Sequence, residues 1–278
     1  MVATTLIFAA QDGLSRHLAE VTNAPMIVMI RYWFFAAFVI GIALRQKGSI
    51  RAAAATPQPL VHAFRGALLA LQIMVMVVSF VYLGLIESHA IFAAYPLLVG
   101  ALSGPILGER VGWRRWAAIG MGFIGVLIIL QPGSGVFSPY AAIPLLASLM
   151  FALYGLLNRY VARRDDAATS FFWTGVIGAL VSTAIGIFYL EPMGASDWGL
   201  MAILCVTGAT GHFFLLKAYE AAEASAIQPF AYLQLVFASV IGLFVFGESL
   251  RLNVMAGAGL IVAAGLFTIW RERIKRAP

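Results

Sequence analysis

The sequence predicts an all-α polytopic membrane protein: ten transmembrane helices, arranged as two inverted five-helix repeats, with both termini in the cytoplasm. Three observations carry that expectation. Of 278 residues, 62% are hydrophobic and 11% charged, against roughly 25% charged in a soluble domain, so polar groups cannot cover a globular surface. The mean hydropathy of +0.93 agrees. The apolar residues run in continuous stretches of bilayer length, and a Gly-Glu pair recurs half a chain apart. This composition excludes a soluble enzyme, a nucleic-acid binder and a disordered chain.

A bilayer-crossing helix needs about 20 mostly apolar residues. Stretches free of Asp, Glu, Lys and Arg cover Gly66–Ile86, Ser88–Gly108, Ala167–Leu190, Trp198–Leu216, Ala224–Gly247 and Leu252–Trp270. Trp116–Asn158 is too long for one span and divides at Gln131-Pro132-Gly133-Ser134-Gly135, a strong turn signal. Pro25–Leu44 is interrupted only by Arg31, and Val2–Leu18 is a short span carrying Gln11, Asp12 and Arg16. The expected helices are 1–18, 25–45, 63–84, 88–107, 112–130, 139–159, 168–190, 197–216, 225–246 and 252–271. The first segment lacks a basic stretch ahead of its apolar part, so it is expected as a retained helix rather than a signal peptide. Its apolar part is short, which fits a natural N-terminus a few residues longer. A membrane barrel would alternate polar and apolar residues, and these runs do not.

Basic residues set the orientation. With the N-terminus inside, the cytoplasmic side holds Arg45, Lys47, Arg51, Arg65, Arg110, Arg114, Arg115, Arg159, Arg163, Arg164, Lys217, Arg271, Arg273, Lys275 and Arg276, which is 15 of the 18 Lys and Arg. The outside holds Arg16 and Arg251, and Arg31 lies within a helix. The net charge of +6 is therefore a topology signal facing anionic lipid, and it calls for no nucleic-acid partner. The single cysteine, Cys205, excludes an intrachain disulfide and a cysteine metal cage and is expected as a packing residue.

Pairing Gly108-Glu109 with Gly247-Glu248 sets an offset of 139 residues, at which Ala117 meets Ala256, Gly120 meets Gly259 and Leu127 meets Leu266. The halves are expected at 1–134 and 135–278. An odd number of spans per half forces the second half upside down. Inverted repeats typify secondary transporters, with the substrate site near the midplane between the halves.

The motifs Ala90-Ile91-Phe92-Ala93-Ala94-Tyr95-Pro96, Leu107-Gly108-Glu109-Arg110 and Gly120 to Gly125 recur as Ala224-Ser225-Ala226-Ile227-Gln228-Pro229-Phe230-Ala231-Tyr232-Leu233, Phe246-Gly247-Glu248 and Gly257 to Gly265. With Arg31 early in the second helix, they resemble the EamA branch of the drug/metabolite transporter (DMT) superfamily over nearly the whole chain. Within that branch the aromatic-rich lining is similar to that of amino-acid exporters of the YddG type. The resemblance implies outward transport of amino acids or similar metabolites, through a cavity lined mainly by helices 1, 3, 4, 6, 8 and 9, in the bacterial inner membrane. One departure is Leu235, where many members carry a proline equivalent to Pro96; it predicts a straighter helix in the second half.

An ionisable group inside the bilayer is costly and needs a partner or a wet cavity. Asp12 and Arg31 both fall in the outer half of antiparallel neighbours. They read either as a structural ion pair or as a gating or proton-coupling pair. Glu109 and Glu248 end helices and are expected to cap the N–H groups of the next helix. The cavity candidates are Gln72, Ser79 and Tyr82 on one face of helix 3, His89, Phe92 and Tyr95 on helix 4, Tyr154 with Asn158 on helix 6, Trp173 on helix 7, His212 on helix 8, and Gln234 with Tyr232 on helix 9. Each alone is an ordinary packing residue; together they suit a small amphipathic solute. Pro96 is expected to kink its helix, either as a static bend or as a moving part. The glycines in Gly120–Gly125 and Gly257–Gly259 suit close helix contact in lipid. No nucleophile–base motif, metal motif or cofactor loop is present, so no catalytic residue, metal or cofactor is expected. The expected partners are a small-molecule substrate, membrane lipid and protons. An intramembrane enzyme and a channel are the rival classes.

Overall fold

The computed structural model describes residues 1–108, 112–131, 138–221 and 228–276, leaving aside the side chains of 212–213, 216–221, 228–229 and 271–276. Its helices are α1 (Val2–Val21), α2 (Ala24–Lys47), the short α3 (Ile50–Ala54), α4 (Pro59–Phe92), α5 (Tyr95–Leu107), α6 (Trp113–Leu130), α7 (Ala142–Val161), α8 (Ala167–Gly186), α9 (Ala195–Ala221), α10 (Leu233–Val245) and α11 (Leu252–Arg276). The protein is an all-helical polytopic membrane protein. Among the described residues six helices are long and apolar enough to cross a bilayer, and Tyr95–Leu107 and Phe230–Val245 are shorter apolar helices.

Local sequence explains the boundaries. Asn23 accepts a hydrogen bond from the Met26 N–H (2.9 Å) to start α2, with Pro25 in its first turn, and Gly48 ends that helix in the left-handed conformation. Asp166 starts α8 by accepting from the Thr169 N–H (2.8 Å). These oxygens satisfy donors that have no intrahelical partner.

Helices 3 and 4 are expected as 63–84 and 88–107, and α4 divides at that place into two helical arms, 59–83 and 85–92, at Gly84, which takes φ 81° and ψ 174°, a region open essentially to glycine alone. The turn between the arms is sharp: Ser79 and Ser88, which nine residues of straight helix would hold about 13 Å apart, meet at 2.7 Å. The departure from expectation comes after it. The expected fourth helix then breaks again at Ala93-Ala94 before α5. Pro96 accounts for this second break: it offers no N–H to the Phe92 carbonyl, and its ring crowds that carbonyl. In the second half, with Leu235 in place of that proline, Gln228–Tyr232, which includes Pro229, is a 3-10 segment that becomes α-helical only at Leu233.

The two arms of α4 between them pack on α7, α8, α1 and α10, while α1 also packs on α9 and α10, α2 on α8, and α6 on α11. The main core joins Leu18, Ile27, Val28, Tyr32, Val77, Phe80, Leu85, Met201 and Leu204. Only part of the glycine expectation holds. α6 and α11 touch backbone to backbone at Gly125 and Gly257, where a Cβ on Gly125 would lie 2.7 Å from the Gly257 carbonyl. Gly122 makes room for Leu97, and Gly120 and Gly259 face open space.

Candidate functional site

Three polar clusters are stacked along the bundle. The central one is built on Asp12, in the middle of α1. Gln234, in the first turn of α10, donates to Asp12 Oδ2 at 2.9 Å. His89 of α4 brings Nε2 to 3.1 Å from the same oxygen. That approach is off the line of a hydrogen bond, so Nε2 is buried without an aligned partner. His89 stacks on Phe80 (5.3 Å between centroids) and meets Phe92 edge-on (6.4 Å). Phe92 continues into an aromatic wall with Tyr95 (5.2 Å) and Phe151 (5.4 Å), and Phe151 reaches Tyr154 (5.9 Å). A carboxylate and an imidazole thus lie beside a row of π-surfaces, groups whose chemistry is complementary to cations and apolar surface.

Arg31 does not pair with Asp12. Its Nη2 donates to Gln11 Oε1 at 2.6 Å, and Gln11 Nε2 reaches the Thr207 carbonyl at 3.4 Å. The reason is helical geometry: successive residues point roughly 100° apart. Gln11 turns toward α2 and α9 while Asp12 turns toward α4 and α10. The Asp12–Arg31 ion pair is therefore corrected to two separate contacts.

The second cluster closes the end of the bundle where α1 finishes. Glu248, just after α10, accepts from the Leu85 N–H (2.7 Å) and the Ile86 N–H (2.9 Å), and it pairs with Arg16. Arg16 also bonds Glu20 (2.9 Å) and lies 4.1 Å above the Phe246 ring. Glu248 thus caps a helix start, but not that of the next helix as expected. The capped donors reopen α4 after Gly84, on the far side of the chain. A Cβ on Gly84 would sit 2.5 Å from Glu248 Oε1, and one on Gly242 would sit 2.8 Å from Oε2. Two glycines leave the slot that the carboxylate fills.

The third cluster lies at the other end. Asp165 Oδ2 takes Thr56 Oγ1 (2.8 Å), His62 Nε2 (3.1 Å) and Gln58 Nε2 (3.3 Å). Arg65 donates to the Ser170 carbonyl (2.6 Å), to Asn158 Oδ1 and to His62 Nδ1 (3.1 Å). A guanidinium only donates, so Nδ1 accepts and Nε2 carries the proton aimed at Asp165. His62, Arg65 and the Asp165 side chain are 0%, 1% and 4% exposed. Arg65, counted from sequence only as an orientation marker, is a buried structural cation.

The remaining candidates separate by place. Ser79 and Ser88 share a buried hydrogen bond of 2.7 Å across the Gly84 break, and Gln72 is buried on α4. Tyr82 belongs to no central site: it is exposed and stacked on Tyr140 at 4.6 Å. Trp173 is likewise remote. It stacks on His62 (6.0 Å) and donates to the Ala54 carbonyl (3.2 Å) in the third cluster. Tyr154 connects the aromatic wall to that cluster through the Arg65 guanidinium, 5.7 Å from its ring. Glu109 and the side chain of His212 lie outside the described residues. Gln11, Tyr32, Phe151, Ser88, His62 and Asp165 were missed as site residues. The usable signals were the polar pair Gln11-Asp12 within an apolar helix and the His62/Arg65 spacing of one helical turn.

A family model described as the EamA-like transporter family matches residues 1–131 and again 139–270. The chain is 28% identical to the S-adenosylmethionine uptake transporter of Rickettsia prowazekii, over 94% of this chain and 88% of that protein. It is 30% identical to the riboflavin transporter of Rhizobium johnstonii, over 99% and 91%, and 24% identical to the pseudopaline exporter CntI of Pseudomonas aeruginosa, over 95% and 92%. A crystal structure of the same fold aligns over 99% of this chain and 98% of its own, at a TM-score of 0.60 and 18% identity. Membership makes the chain a metabolite transporter and not an enzyme, a multi-pass protein that in bacteria resides in the inner membrane. The chain belongs to the EamA-like transporter family of the DMT superfamily.

Proposed function

We propose that this transporter is a secondary carrier of small amine-bearing amphipathic metabolites, amino acids with apolar or aromatic side chains foremost. It works by alternating access between two inverted halves, 1–134 and 135–278, with both termini in the cytoplasm. The observation that carries the reading is the Asp12 carboxylate, hydrogen-bonded by Gln234 from one half and approached by the His89 ring from the other, at the edge of the Phe92–Tyr95–Phe151–Tyr154 wall. A substrate ammonium would replace Gln234 on Asp12, and its apolar part would lie on the rings. In this orientation the Glu248 cluster is the outer closure and the Asp165 cluster the inner one. Asp12 and His89 are the groups that would carry a coupled proton.

The test is counterflow into liposomes holding the purified protein, screened over labelled amino acids, S-adenosylmethionine and riboflavin. Saturable exchange of an amino acid that is lost in Asp12→Asn supports the proposal. Exchange of riboflavin alone would replace the substrate class, and non-saturating flux would mark a channel. The relatives' names include both uptake and export; inside-out vesicles test the outward direction expected here.

A further inference from the structure

A cavity beside the central cluster has no role in that reading. It is lined by Arg31, Tyr32 and Phe35 of α2, Leu69 and Ile73 of α4, and Cys205 of α9. The space that a water-sized sphere can reach inside is about 20 Å³. That seats one water or a head group of similar size, not a whole metabolite.

Three features mark this space as prepared for an anion. First, Arg31 brings a positive charge into a mainly apolar enclosure. Its side-chain acceptor is the neutral Gln11 amide, and the Asp12 carboxylate acts on it only from beyond ion-pair contact. A guanidinium offers five donors in a fixed fork that matches a carboxylate. Second, Tyr32 lines the same space, and its hydroxyl is buried and has no hydrogen-bond partner. A buried hydroxyl without a partner is costly, and an anion would satisfy it. Third, the ring that carries this hydroxyl is clamped. Gly178 of α8 leaves the space that the Tyr32 ring occupies, and Phe35 meets the ring edge-on at 6.2 Å. The apolar walls Leu69 and Ile73 exclude water and strengthen a charge-assisted bond.

We infer that this cavity is a carboxylate subsite, in which Arg31 and the Tyr32 hydroxyl hold the acid group of the transported solute. The inference rests on the carrier reading and deepens it: the substrate carries an acid group as well as an amine, and the acid group is engaged on the Gln11 side of α1. Arg31 is thereby a specificity residue rather than half of a gate.

Cys205, the chain's only cysteine, lines the cavity and reports on it without any transport measurement. The purified protein is treated with 2-sulfonatoethyl methanethiosulfonate, which is anionic, or its cationic trimethylammonium counterpart. Labelling is followed by intact mass, and each rate is divided by that reagent's rate with 2-mercaptoethanol. The normalised preference for the anion is expected to be roughly tenfold or more. Arg31→Gln should abolish it and Arg31→Lys should retain it. Equal rates in the wild type, or a preference that survives Arg31→Gln, would overturn the subsite. Failure of Cys205 to label at all would do so too, because a substrate site must open to water. Loss of counterflow with the labelling preference intact would instead strike the carrier reading and leave the anion site standing.

Discussion

The two ends of the bundle are closed by different chemistry. At the Glu248 end one carboxylate does most of the joining, on two backbone N–H groups and one arginine. It depends on backbone that only glycine supplies, at Gly84. At the Asp165 end closure is a web: Thr56, Gln58 and His62 converge on Asp165, and His62 relays to Arg65, which is anchored on Asn158 and a carbonyl. A single carboxylate on a helix start can be released by one side-chain movement. A buried web cannot lose one member without stranding the others, since each unsatisfied polar group carries its own desolvation cost. The contrast assigns the easily broken closure to the Glu248 end and the cooperative one to the Asp165 end.

The largest effect should come from breaking the web. Asp165→Ala strands three donors and leaves Arg65 as a buried charge with no carboxylate in its network, which should cost about 3–5 kcal/mol. The melting temperature of detergent-purified protein reads this directly. A loss below about 1 kcal/mol would mean that the web is not cooperative. Next comes Glu248→Gln, which keeps the shape, weakens two charge-assisted bonds to backbone N–H groups and removes the ion pair with Arg16, for a loss of about 1.5–3 kcal/mol. It should also speed labelling of a cysteine placed behind the closure, whereas Asp165→Asn should not. Third, Gly84→Ala combines left-handed strain of about 1–3 kcal/mol with the approach to Glu248. Trimming the carboxylate in Glu248→Ala should recover part of that loss. Strict additivity of the two substitutions would show that the slot is not shared.

Much of this was legible in the sequence, because polar groups are expensive in apolar helices. Asp12, His89 and Gln234 stood out for that reason, and they do converge. What sequence cannot supply is azimuth. Arg31 was matched to Asp12 by depth, yet the neighbour one step round the helix, Gln11, receives it. Nor does it supply long-range partners: Glu248 has the chemistry of a cap, but its donors lie 163 and 162 residues away. Tyr82 counts with the cavity by helix membership and Trp173 by its aromatic character alone, and their positions along their helices carry them to opposite ends. His62 and Arg65 went unremarked because a basic residue near a span's end reads first as a topology marker.

The smallest effect separates the web from the surface beside it. Asp166 adjoins Asp165 but faces outward, where it caps α8 and bonds Lys47; the two side chains are 53% and 29% exposed. The Lys47 bond, with the Thr169 N–H, holds the Asp166 carboxyl below its usual 3.8. A lowered carboxyl contributes stability above its unfolded value and loses it as pH falls through the folded one. The contribution should therefore be constant at neutral pH, begin to fade only below about pH 3.8, and shrink with added salt. Asp166→Asn keeps a capping oxygen and removes the ion pair, so it should cost less than about 1 kcal/mol and erase that acid-limb dependence. Asp166→Ala should cost about 0.5–2 kcal/mol, at any salt concentration, because the lost bond is then the cap itself. If Asp166→Asn proved as damaging as Asp165→Ala, the exposed cap would have to be counted as part of the buried web, and the two ends would differ in size rather than in kind.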